Sequence, residues 1–130
     1  MRQGGLLDVA LHPNFVNNRT VCFSYSGADD RGVGTEIACA EFNRGRLSGV
    51  RIIFRAVPKS GGGLHVGSRL LFGPDGYLYA TLGERGVRPQ AQDLGTHPGS
   101  VVRITDNGLV PPENPFVGQK NAQPEIFSYG

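Results

Sequence analysis

The chain has 130 residues and a formal net charge of +2, and its 13 Lys and Arg are scattered without a basic run. That balance excludes a dedicated binder of nucleic acid or anionic membrane, which would gather its cations on one patch; no apolar run is long enough to span a bilayer. Twenty Gly and nine Pro between short apolar segments point instead to a turn-rich all-β protein.

The opening Met-Arg-Gln-Gly-Gly-Leu-Leu-Asp lacks the apolar core and cleavage site of a secretory signal. The chain is therefore expected to be cytoplasmic as written, or a piece of a longer secreted protein. Leu6–His12 reads as a strand closed by the turn His12-Pro13-Asn14, which makes His12 a turn residue. Thr20–Ser26 alternates, with Val21, Phe23 and Tyr25 on one face and Cys22, Ser24 and Ser26 on the other. Thr35–Phe42 follows, with Ile37 and Cys39 against Ala38 and Ala40.

A symmetric hairpin across the loop Gly27–Gly34 brings Cys22 opposite Cys39. So long a loop fixes register poorly, and disulfide geometry is demanding. Two buried free thiols are the expectation, ahead of a disulfide, and two cysteines alone make no metal site. Asn43–Gly49 is a polar turn, and Val50–Ala56 is a fourth strand with Ile52 and Phe54 on one side.

After Pro58-Lys-Ser-Gly-Gly-Gly63 the pattern restarts. Leu7–Asn14 and Arg69–Asp75 share an apolar strand closed by Pro followed by Asn or Asp, and the two prolines lie 61 residues apart. Tyr77–Leu82 then matches Thr20–Ser26, Gly99–Thr105 supplies a third strand and Glu125–Tyr129 a fourth, with one turn of helix at most, over Gln90–Leu94. A sheet-sized repeat is the signature of a β-propeller. The division predicted is a first blade over 1–58 and a second over 59–130, about two blades of a larger ring. Three copies of such a chain would complete six blades.

Within the second unit, Gly73-Pro74-Asp75-Gly76 is a tight-turn tetrapeptide in which Asp75 serves the turn. It joins Ser68–Phe72 to Tyr77–Leu82. A two-residue loop places His65 directly opposite Glu84; a glycine bulge at Gly76 slips the register by one and makes them diagonal neighbours. A carboxylate on one ring nitrogen orients an imidazole and raises its basicity, which suits His65 to take a proton from a hydroxyl. On spacing alone, a surface ion pair beside a glycine-rich loop explains the two residues more economically.

Taken in order, Gln3-Gly-Gly-Leu-Leu-Asp-Val, His12-Pro-Asn-Phe15, Gly62-Gly-Leu-His65-Val-Gly-Ser-Arg-Leu, Phe72-Gly-Pro-Asp-Gly, Thr81-Leu-Gly-Glu84, Ala91-Gln-Asp-Leu94, Pro112-Glu-Asn-Pro-Phe116 and Pro124-Glu-Ile-Phe-Ser-Tyr-Gly130 run over nearly the whole chain. Together they resemble the soluble, PQQ-dependent aldose sugar dehydrogenases of the glucose/sorbosone dehydrogenase family.

The resemblance implies a six-bladed propeller that holds pyrroloquinoline quinone and Ca²⁺, oxidises an aldose to a lactone, and passes the electrons to an external acceptor. It implies a periplasmic parent. His65 falls on the catalytic base, Glu84 on its carboxylate partner (sometimes Asp in relatives) and Gln3 on a sugar-site glutamine. Arg88 and Gln92, in the loop after Glu84, are candidates to reach cofactor or substrate. Leu64 stands as an extra residue before the base. The calcium ligands and most quinone contacts of the family are expected beyond residue 130, so no metal ligand is assigned here. Arg69 is read as pairing Glu84 or facing solvent, and His97 as a strand-start residue that lines a cavity or serves structure. A catalytically inert two-blade assembly or binding module is the competing reading for a chain of this extent.

Overall fold

Short polar turns decide how far the strands of this chain run. The computed structural model describes residues 4–130, and there eight strands form two four-stranded antiparallel sheets. The first is β1 (Leu6–Leu11), β2 (Thr20–Asp29), β3 (Gly32–Asn43) and β4 (Arg46–Arg55), in chain order. The second is β5 (Leu70–Phe72), β6 (Leu78–Thr81), β7 (Ser100–Ile104) and β8 (Ile126–Tyr129), again in chain order. Two up-and-down sheets stacked face to face are two propeller blades. A single helical turn, α1 (Phe15–Asn18), follows the His12-Pro13-Asn14 turn, and a 3-10 turn covers Arg88–Gln92, two residues earlier than the sequence predicts.

The β2–β3 hairpin keeps the expected register, with Cys22 opposite Cys39, but its loop is Asp30-Arg31 and not Gly27–Gly34. A two-residue loop pins register, and the two cysteines are joined in a disulfide with Cα atoms 4.0 Å apart. The expectation of free thiols is overturned because the ladder runs unbroken from the pair to the turn. In the same way Arg44 and Gly45, at φ 49° and 79°, form the tight turn that lets β4 start at Arg46. A bulge in β4 pairs Ile37 with Phe54 but Ala38 with Ile52. The extra residue breaks the two-residue period, so Phe54 enters the core while Ile52 turns to the outer face.

The core lies between the sheets. Cys22, Ile37, Cys39 and Phe54 from the first pack against Leu70, Leu78, Val102 and Ile104 from the second. Each fully buried Ile or Leu is worth about 1.5–3 kcal/mol. Polar links reinforce the seam. The Thr35 hydroxyl donates to Val66 O (2.7 Å), and the Leu70 N–H donates to Asp8 Oδ2 (2.8 Å). Buried His97 closes one end: its N–H donates to Val57 O (2.8 Å), and its Nδ1 accepts the Val57 N–H (3.0 Å). The ring proton therefore sits on Nε2, 3.2 Å from Glu125 Oε2. His97 is a structural latch between the blades.

Lys59 anchors the linker that joins them. Its side chain is only 3% exposed, and Nζ lies 2.7 Å from Glu36 and 3.0 Å from Asp29. Tyr25 donates to the other Glu36 oxygen (2.9 Å). Burial alone would raise the Glu36 carboxyl, but hydrogen bonds from Lys59 and Tyr25 outweigh it and hold the group below its usual range. Burial and then Glu36 push the Tyr25 hydroxyl up to about 12.

The outer face of the first sheet is open and apolar, a groove of about 580 Å³ lined by residues including Val9, Leu11, Val21 and Phe23. By the 61-residue repeat, Val9 and Leu11 correspond to Leu70 and Phe72, which pack on the core of the seam. The open face is thus the counterpart of the second sheet's inner face, which the first sheet already covers.

Replacing both cysteines by alanine should lower unfolding free energy by about 2–4 kcal/mol in a urea titration; an unchanged midpoint would contradict a disulfide at this position. Stability should fall as acid titrates Glu36, whose contribution is present above its ordinary value of 4.5 and is lost as pH drops through the depressed folded value. It should fall again in alkali between pH 10 and about 12, where the unfolded chain ionises Tyr25 first. Tyr25→Phe should flatten the alkaline limb and also shrink the acid limb, because Glu36 loses one of its two hydrogen-bond donors.

Candidate active site

The hairpin β5–β6 turns at Gly73-Pro74-Asp75-Gly76, where the Gly76 N–H donates to Gly73 O and the Gly73 N–H to Tyr77 O, both at 2.9 Å. Gly76 has φ +82°, a conformation glycine adopts without steric cost. Leu70 consequently faces Ala80 and Phe72 faces Leu78, the bulged register of the two that the sequence allows. Asp75 serves the turn, accepting the Tyr77 N–H (3.1 Å) and the Tyr79 hydroxyl (2.7 Å).

At the open end of this hairpin, Arg85 N–H donates to His65 O (3.3 Å), so Glu84 is diagonal to His65. The side chains still meet: Glu84 Oε1 is in hydrogen-bond contact with His65 Nδ1. The approach depends on Gly83, where an added Cβ would lie 2.0 Å from His65 O. His65 itself is left-handed, at φ 46°, a conformation that non-glycine residues adopt only where surrounding structure imposes it.

The His65 hydrogen bond, aided by the backbone N–H groups of Glu84 and Gly86, holds the Glu84 carboxyl below its usual range. An ionised carboxylate only accepts, so His65 donates from Nδ1 to Glu84. The His65 side chain is 51% exposed and that of Glu84 25%, which puts the pair at the surface and within reach of a ligand.

Arg88 and Gln92 lie exposed at the two ends of the 3-10 turn that follows. Arg69 pairs with Asp8 (3.6 Å) and its side chain is 83% exposed. Gln3 lies outside the described residues. His12 is the turn residue expected: Nδ1 accepts the Asn14 N–H (3.0 Å), and Nε2 faces Asp106 (3.3 Å). Asn114, in the Glu-Asn-Pro-Phe block, is buried and structural, donating to Arg103 O and Pro124 O at 2.9 Å each.

Arg85 was not legible as a site residue. It is 5% exposed, donates to the carbonyls of Leu64 and Gly62, and reaches Val33 O at 3.1 Å. Its only sequence signal is an arginine between Glu84 and a glycine. Among the described residues, no group of three or more His, Cys, Asp or Glu is placed to hold a metal ion.

Comparison with known proteins gives this geometry its context. The chain is 44% identical over 131 residues to the aldose sugar dehydrogenase YliI of Escherichia coli (strain K12), covering 98% of this chain and 35% of that protein. Its fold is similar to the apo-form crystal structure of the soluble aldose sugar dehydrogenase from Escherichia coli, with TM-score 0.94, 42% identity, and coverage of 98% of this chain and 38% of that one. It is also similar to the PQQ-bound aldose sugar dehydrogenase of Streptomyces coelicolor, with TM-score 0.83, 32% identity, and coverage of 98% and 36%. The chain thus spans about a third of the length of the curated relatives it matches. The sequence model of the glucose/sorbosone dehydrogenase family matches residues 1–130, and the chain belongs to that family.

Proposed function

We propose that this chain is the base-carrying segment of a PQQ-dependent aldose dehydrogenase, with His65 as general base and Glu84 as its partner. The observation that carries the reading is the Glu84 carboxylate on His65 Nδ1, which fixes the tautomer with Nε2 as the proton acceptor. A sugar hydroxyl delivered to Nε2 gives up its proton there. The adjacent anion then stabilises the imidazolium as the carbon loses hydride and the lactone forms. When bound, the quinone supplies the hydride acceptor, and an external acceptor removes the electrons.

The residues present fit the base half of such a site. Added Cβ atoms at Gly61 and Gly86 would meet nothing within 4 Å, so the backbone flanking the pair is open to a flat ligand. Arg88 is an exposed cation two residues beyond Gly86 and suits an anionic cofactor, with Gln92 one further 3-10 turn along. Calcium finds no cluster of acidic ligands among the described residues. The Cys22–Cys39 bond is consistent with an extracytoplasmic site of action, and we place the parent protein in the periplasm.

Because the chain spans about a third of its relatives, a catalytically inert two-blade module is the second reading. It predicts no saturable change in quinone absorbance on titration, with or without Ca²⁺. The open apolar face of the first sheet favours self-association of the isolated chain, as in a ring of three copies; a light-scattering mass of one chain would rule that assembly out.

In the complete dehydrogenase, His65→Ala should lower turnover with a dye acceptor by about 10²–10⁴-fold, and Glu84→Gln by less. Wild-type turnover in His65→Ala would remove the base assignment. Gly83→Ala, which forces the hairpin apart at His65 O, should mimic His65→Ala in activity while keeping the β-sheet circular dichroism.

A further inference from the structure

We propose that Arg85 is a positioning residue whose buried guanidinium fixes the backbone that presents His65 to Glu84, an inference that rests on reading His65 as the base. The segment Gly61–His65 holds three consecutive glycines, which offer no side chains for packing and leave the backbone free to sample many conformations. Over the glycines only backbone groups can anchor it. Arg85 takes two carbonyls of the segment, Gly62 O and Leu64 O, and its third acceptor is Val33 O of β3, at 3.1 Å. One planar fork therefore ties the loop to the neighbouring blade. The main chain of the same residue donates to His65 O (3.3 Å), so Arg85 holds residues 62, 64 and 65 at once.

The electrostatics argue that this is a built feature. Among the described residues Arg85 forms no ion pair, and its Nε is buried without a hydrogen-bond partner. A buried guanidinium bonded to neutral carbonyls alone bears a desolvation cost that a simple packing role would not require. Arginine can bridge three acceptors in fixed directions, whereas the point charge of lysine cannot. Arg85 and His65 are also both left-handed, at φ 63° and 46°, so the two loop segments face each other in conformations that only an imposed framework maintains. Leu64, the residue just before the base, contributes one of the anchored carbonyls.

The test reads the state of the His65 ring and needs no turnover. In the ¹⁵N-labelled chain, ring nitrogen shifts should show neutral His65 protonated at Nδ1. In Arg85→Met and Arg85→Lys that bias should be lost to the Nε2-protonated form that free histidine prefers. Amides of residues 62–65 should exchange about tenfold faster or more, while the disulfide and the β-sheet signal remain. A purely structural arginine would lower the melting temperature and leave the ring unchanged. A folded variant that keeps the wild-type tautomer, whatever its exchange, would overturn the proposal; if the methionine variant does not fold, the lysine variant decides. Failure of the base assignment would appear separately, as retained turnover in His65→Ala of the complete dehydrogenase.

Discussion

A Cβ on residue 83 would sit 2.0 Å from the carbonyl oxygen of His65, and this close approach governs everything at the mouth of the second hairpin. Only glycine lets the chain leaving β6 pass so near the loop that precedes the hairpin. The approach puts Glu84 within reach of a ring that lies diagonal to it in the ladder. Gly76 sets the register, Gly83 sets the distance, and the seam with the first sheet sets the orientation through the Thr35 hydroxyl on Val66 O. The charge relation follows from the contact: a carboxylate kept ionised by its imidazole partner also fixes which ring nitrogen holds the proton.

Much of this could be read from residue types. Pro13 and Pro74 mark the repeat, Gly73-Pro74-Asp75-Gly76 marks the turn, and the alternation of Val21, Phe23 and Tyr25 against Cys22 and Ser24 matches the two faces of β2. What failed did so for local reasons. Asp30-Arg31 and Arg44-Gly45 support tighter turns than their polarity suggests, so the strands run longer and the cysteines become a rigidly registered pair. The bulge around Ile53 moves Ile52 out of the core, and no two-residue pattern anticipates it. Arg85 and Lys59 look like surface cations in a string of letters. They are buried because backbone carbonyls, in one case, and Glu36 with Asp29, in the other, converge on them from distant segments.

The two blades are stitched by groups of different chemistry at each level of the seam. Asp8 accepts the Leu70 N–H, Thr35 holds Val66, and His97 exchanges two hydrogen bonds with Val57. None of these could be assigned from its own strand, because each partner lies beyond the linker. The repeat explains why the first sheet shows an apolar face at all: Val9 and Leu11 hold the positions that Leu70 and Phe72 hold in the second sheet, where the corresponding surface is already packed.

Cys22 and Cys39 are both at 0% exposure, enclosed between the sheets by Leu78 and the residues around it. A reductant in solution therefore meets no sulfur until the stack parts. The speed at which such an agent cleaves the bond is a clock for how often the two layers separate. It turns a covalent cross-link within one blade into a reporter on the mobility between two.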